Sequence, residues 1–98
     1  MKTILLLSIL LIAGCSTNNE PLDAIIDAEI TIKEANALGF AETGSRNYDK
    51  TQKLIAEAKT LNSRNKIKAA TEKASKANRL ANDYIISFER YQRQKSRN

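Results

Sequence analysis

Two sets of side chains in this 98-residue sequence have types and spacing suited to chemistry. The first is the lone cysteine, Cys15, preceded by Met1-Lys2-Thr3, an apolar run over residues 4–12 interrupted only by Ser8, and then Ala13 and Gly14. A thiolate is a soft nucleophile that forms thioethers, so a cysteine directly after an apolar leader is placed for alkylation rather than for a core. The second is the carboxylate set Asp23, Asp27 and Glu34, which shares one face at helical spacing. Such a set suggests a divalent cation or an acid–base pair. Carboxylates on a single helix, with no loop cage or pocket around them, suit neither role and read as a solvated or salt-bridged face. There is no histidine, which excludes Cys/His metal sites and hydrolases that depend on a His base. One cysteine builds no disulfide framework. Gly39 and Gly44 form no phosphate-binding loop, since no strand precedes them and neither G-x-G nor G-K-[ST] follows. The sequence therefore predicts no enzyme, no cofactor and no metal.

The leader has the order of a secretory signal: a positive charge, an apolar stretch, then small residues. Nine residues are too few to cross a bilayer core, which needs about 20. The tetrapeptide Ile12-Ala13-Gly14-Cys15 resembles the lipobox of bacterial lipoproteins. The resemblance implies that Cys15 receives diacylglycerol on sulfur, that residues 1–14 are cleaved off, and that the new amine is acylated. Several acyl chains, each contributing ~0.8 kcal/mol per buried CH₂, anchor a protein stably where one chain does not. Ser16 follows the cysteine. In Gram-negative lipoproteins an Asp there favours retention in the inner membrane, so the resemblance implies an outer-membrane destination facing the periplasm. Residues 15–21 are polar after the cysteine and include the single proline, Pro21. They read as a lipidated tether with a reach of roughly 20 Å when extended.

From Leu22 onward the chain has no proline and is dominated by good helix formers. An all-α fold follows, an antiparallel three-helix bundle or helical hairpin over residues 22–91 with a basic tail over residues 92–98. The first helix is expected over residues 22–38. Ile25, Ala28, Ile32 and Ala35 form its main stripe, and Leu22, Ile26, Ile30 and Ala37 form a second one. Two stripes predict contact with two neighbours. Gly39 is its expected C-cap, and residues 40–46 form a connection from which Phe40 packs back. The second helix is expected from Asn47, its N-cap, or Tyr48 to Leu61, on a seam of Thr51, Leu54, Ala58 and Leu61. Ser63 or Asn65 is then placed to cap the third helix.

The third helix has the most regular pattern. Ile67, Ala70, Ala74, Ala77, Ala81, Tyr84, Phe88 and Tyr91 step alternately by three and four, a heptad seam widened by Leu80 and Ile85. Alanines in mid-seam permit a close helix approach, and the aromatic end, Tyr84, Phe88 and Tyr91, is expected to plug one end of the bundle, with an exposed docking patch as the alternative. A chain this small buries only about 60% of its unfolded surface, so self-association is an expected remedy.

Charge is sorted along the chain. Residues 16–45 carry six acids against Lys33 alone, a net −5, whereas residues 46–98 carry fourteen bases against five acids, a net +9. An acidic first helix facing basic later ones favours closure and orientation more than stability. After Glu89 the chain holds Arg90, Arg93, Lys95 and Arg97 and no acid, a candidate contact for an anionic envelope surface.

Ala35-Asn36-Ala37-Leu38-Gly39-Phe40-Ala41, Tyr48, the run from Gln52 to Lys59 and the run from Lys68 to Ala74 together resemble the uncharacterised bacterial lipoprotein domain of the DUF4398 type. The resemblance covers about residues 22–84. It implies an alanine-rich helical domain carried by a lipoprotein. The peptidoglycan-binding domain sometimes joined to that family has no counterpart in this sequence. The functional expectation is a membrane-anchored envelope lipoprotein that acts as a structural or protein-interaction module. The alternative is a small membrane-active or lysis-type lipoprotein. The expected partners are the membrane, through lipid on Cys15, and another envelope protein or a second copy of the chain. Nucleic acid is not expected after export.

Overall fold

The computed structural model describes residues 20–97, so the leader, Cys15 and the first part of the tether lie outside the described residues. The described residues are helical, with no strand among them. They form α1 (Glu20–Ala37), a single-turn α2 (Phe40–Thr43), α3 (Ser45–Ser63) and the long α4 (Ile67–Arg97). Glu20 and Pro21 open α1, two residues ahead of the expected start. Proline lacks the N–H that a first turn leaves unpaired, and Glu20 and Asp23 face the positive end of the helix dipole.

Both α1 and α3 pack chiefly on α4 and only slightly on each other. Ile25, Ala58 and Ala74 meet in one cluster. At the opposite end the rings of Phe40, Tyr48 and Tyr84 meet. These two levels set the directions: α1 runs parallel to α4 and α3 runs antiparallel to both. The expected seam is present, since Ala70, Ala74, Ala77 and Ala81 are fully buried along α4. Facing them are Ala28 and Ala35 of α1 and Ala58 of α3, also fully buried. With methyl groups on both sides the helix axes approach closely. The larger residues Ile25, Ile32, Leu54 and Ile55 fill the space to either side. Thr51 is the buried polar side chain here, and its hydroxyl donates to the Asn47 carbonyl at 2.7 Å.

Several local expectations are corrected. The connection at residues 40–46 contains a helical turn: Thr43 N–H donates to the Gly39 carbonyl at 2.9 Å and Gly44 N–H to Phe40 at 2.9 Å. α3 therefore starts at Ser45 with Gly44 as N-cap, and Asn47 lies inside the helix. Neither Ser63 nor Asn65 caps α4. Asn65 has φ 63° and closes α3 from behind. Its N–H donates to Asn62 at 3.0 Å and that of Lys66 to Leu61 at 2.9 Å, the paired bonds of a Schellman motif. Ser63 donates back to the Thr60 carbonyl at 2.6 Å. Both ends of the α4 seam are exposed, Ile67 by 44% and Tyr91 by 59%, because α4 has 31 residues and its neighbours 18 and 19. The second stripe of α1 also stays in solvent, with Leu22, Ile26 and Ile30 each about half exposed. The first stripe alone meets both neighbours, since its alanines let two helices share it.

Candidate functional site

The aromatic end of the bundle is the most elaborated side-chain cluster among the described residues. Phe40 is fully buried and stands edge-on to Tyr48, with ring centroids 5.6 Å apart and an interplanar angle of 86°. It also leans on Tyr84 at 4.9 Å. Phe88 stacks beyond Tyr84 at 6.5 Å and is half-buried. Gly39 makes this possible by ending α1 with φ 94°, a conformation that side chains with a Cβ disfavour. Gly44 contributes differently. A Cβ there would lie 2.9 Å from Cδ1 of Phe40, so the absent side chain leaves room for the ring.

Tyr84 joins sequence-distant backbone at this end. Its hydroxyl donates to the Leu38 carbonyl at 3.0 Å, one of the acceptors left open where α1 stops. Thr43 Oγ1 lies 2.6 Å from the same hydroxyl and donates to the Gly39 carbonyl at 2.8 Å. Two hydroxyl protons are shared among these three contacts, so one hydroxyl donates to the other in place of its carbonyl whenever the 2.6 Å contact is hydrogen-bonded, and the geometry ties α4 to both sides of the Gly39 turn. This is a structural clasp.

The sequence-derived candidates fall elsewhere. Cys15 lies outside the described residues. Asp23, Asp27 and Glu34 are exposed on α1, and no group of three metal-ligating side chains occurs among the described residues. Arg90, Arg93, Lys95 and Arg97 are exposed on the last turns of α4. The expected tail is therefore a continuation of that helix as far as Arg97. It projects beyond the ends of α1 and α3 and overhangs an open hollow of about 530 Å³ lined by Leu38, Phe88, Glu89, Gln92 and Arg93. A second open groove, about 420 Å³, runs between α3 and α4 along Lys53, Ala56, Glu57, Thr60, Leu61 and Lys73. Neither gathers the convergent polar groups of a small-molecule site.

Among the described residues two ion pairs join helices, Lys59–Glu29 at 3.0 Å and Lys73–Glu57 at 3.6 Å, and both are about half exposed. Each contributes about 0–1 kcal/mol at such exposure, so they orient helices more than they hold them. No described helix is long and apolar enough to cross a membrane.

What sequence reasoning missed is the clasp, the packing role of Gly44 and the C-terminal cap at Asn65. A Gly-Phe pair four residues before another glycine was the available signal for the second. A tyrosine hydroxyl bonded across 46 residues left no signal in spacing. Comparison of the chain with protein-family models, with curated proteins and with solved structures returned no match.

Proposed function

We propose that this chain is a bacterial envelope lipoprotein, anchored by acyl chains on Cys15 after removal of residues 1–14, in which the helical bundle serves as a non-catalytic interaction module. The observation that carries the reading is Ala13-Gly14-Cys15 placed directly behind the nine-residue, mostly apolar stretch that ends at Ile12, with a positive charge before it. Ser16 assigns the anchor to an outer membrane, where the host has one. The alanine-spaced helices support kinship with the DUF4398-type lipoprotein domain. The bundle fits a binding role in two respects: an apolar stripe on α1 faces solvent, and α4 extends past its neighbours.

Cell fractionation tests the anchor. Wild-type protein should sediment with membranes and resist a high-salt wash, and Cys15→Ala should accumulate with its leader uncleaved. Cleavage of the Cys15→Ala chain at residue 14, with release of a soluble product, would refute lipid anchoring at this residue.

A further inference from the structure

One face of α4 stands clear of the bundle. At about 100° per residue, Arg79, Ile86, Arg90, Arg93 and Arg97 fall within an arc of about 60°. That arc is on the side of the helix opposite the buried Ala70, Ala74, Ala77 and Ala81. All five side chains are exposed, Ile86 by 41%. From Arg79 to Arg97 the stripe runs about 27 Å, or about five helical turns. No acid lies inside the arc, and Asp83 and Glu89 border it on opposite edges. Nearer the start of α4 the same side carries Lys68 and Glu72, whose charges offset each other. Lys95 lies on the seam side with Tyr91 and takes no part. Neither of the ion pairs between helices uses any of these arginines.

Because α1 and α3 both pack on the seam side, the arginine face is a ridge that a flat surface can meet without touching another helix. A guanidinium is a planar fork that pairs with phosphate oxygens two at a time. An exposed isoleucine among four such forks adds apolar contact at the same level. Phosphates spread in a plane, with an apolar layer just beneath, are the complement of this face, and an anionic phospholipid surface has that structure. The exposed carboxylates of α1 lie in the layer behind α4, set back by most of an interhelix distance of about 8–10 Å. Salt at roughly 0.1 M screens charges over that distance.

We propose that α4 lays this stripe on the anionic phospholipid headgroups of the membrane that holds the lipid anchor. Arg79, Arg90, Arg93 and Arg97 meet phosphates, and Ile86 reaches the boundary with the acyl chains. The orientation rests on the anchoring of Cys15 proposed above, whereas the contact between stripe and phosphate does not. The tether is long enough. With an interhelix distance of about 8–10 Å and a helix radius of about 5–6 Å, the start of α1 stands about 13–16 Å from the surface. Residues 15–19 can span up to about 17 Å. Acyl chains already hold the protein at the membrane, so the stripe sets its orientation and the bundle lies along the surface. Ile26, half a turn round α1 from the buried Ala35, then faces away from the membrane with Leu22 and Ile30.

The test uses the chain from Cys15 onward with Cys15→Ser, so that failure of the anchor and failure of the stripe are read separately. Sedimentation with vesicles of phosphatidylglycerol and phosphatidylethanolamine at low salt should show binding, and phosphatidylcholine vesicles should bind far less. Each arginine of the stripe changed to glutamine should lower binding roughly fivefold, and all four together at least ~fiftyfold. The control changes Lys33, Arg64, Lys66 and Lys95 to glutamine, removes the same net charge away from the stripe, and should lower binding less than ~fivefold. Circular dichroism checks that these exposed substitutions keep the helix content. The chain has no tryptophan, so Ile86→Trp and Ile26→Trp each supply a single reporter. Emission from position 86 should shift to shorter wavelength on vesicle binding, and emission from position 26 should not. Equal losses in the two fourfold variants, a shift at position 26 in place of 86, or no binding to anionic vesicles would overturn the proposal. So would stripe-dependent binding to purified peptidoglycan that exceeds binding to vesicles, which would assign the arginines to the cell wall.

Discussion

Replacing Tyr84 by phenylalanine isolates the hydroxyl at the aromatic end, because the ring that packs on Phe40 and Phe88 remains. The hydroxyl donates to the Leu38 carbonyl at 3.0 Å and lies 2.6 Å from Thr43 Oγ1. A single intramolecular hydrogen bond contributes a net of about 1 kcal/mol, and a part-buried acceptor left without its donor adds up to about 1 kcal/mol more. Leu38 is half-buried, so water reaches its carbonyl only in part. Tyr84→Phe should therefore cost about 1–2 kcal/mol, a fall in Tm of roughly 5–12 °C for a domain of this size. Thermal unfolding followed by circular dichroism at fixed protein concentration measures it. Tyr91→Phe, on an exposed ring, is the control and should change Tm by no more than about 1 °C. Thr43→Val and the double variant complete a thermodynamic cycle, in which the two losses should sum to more than the loss in the double variant. An unchanged Tm in Tyr84→Phe, or strict additivity with Thr43→Val, would refute the clasp.

Three further substitutions address the remaining packing. Gly44→Ala should destabilise by about 1–3 kcal/mol in urea unfolding, since the new methyl must displace the Phe40 ring and alanine is a poorer N-cap than glycine. Asn65→Gly should leave stability unchanged or slightly higher and Asn65→Ala should lower it by about 1 kcal/mol, because Cβ is strained at positive φ and Asn tolerates that region better than Ala. Ala77→Leu, in the middle of the buried seam, should cost at least about 1–3 kcal/mol and reduce unfolding cooperativity, since facing alanines leave no space for a larger side chain.

The alanine seam was legible because an alternation of three and four over many residues has no other physical reading than one face of a long helix. Its buried length was not, because a stripe on one helix says nothing of where its neighbours stop. Ile67 and Tyr91 continue the pattern past the ends of α1 and α3 and so stay in solvent. The second stripe of α1 misled in the related sense. Leu22, Ile26 and Ile30 look like a core face, yet a bundle whose buried alanines admit two neighbours on one stripe has no third helix to cover the other. Gly39 could be read as a helix stop from its residue type. The requirement for glycine at position 44 comes from a ring four residues away, and Asn65 fits the start of one helix as well as the end of another. Only the fold decides between those two roles for Asn65. Cys15 was read from its leader alone and lies outside the described residues.

The central claim is the acylated cysteine, and intact-mass spectrometry of the protein extracted from bacterial membranes tests it most directly. The account predicts a polypeptide that begins at Cys15 and carries the added mass of a diacylglyceryl group, with or without a further acyl chain on its amine. A polypeptide that retains residues 1–14, or one that begins at Cys15 with a free thiol, would contradict it.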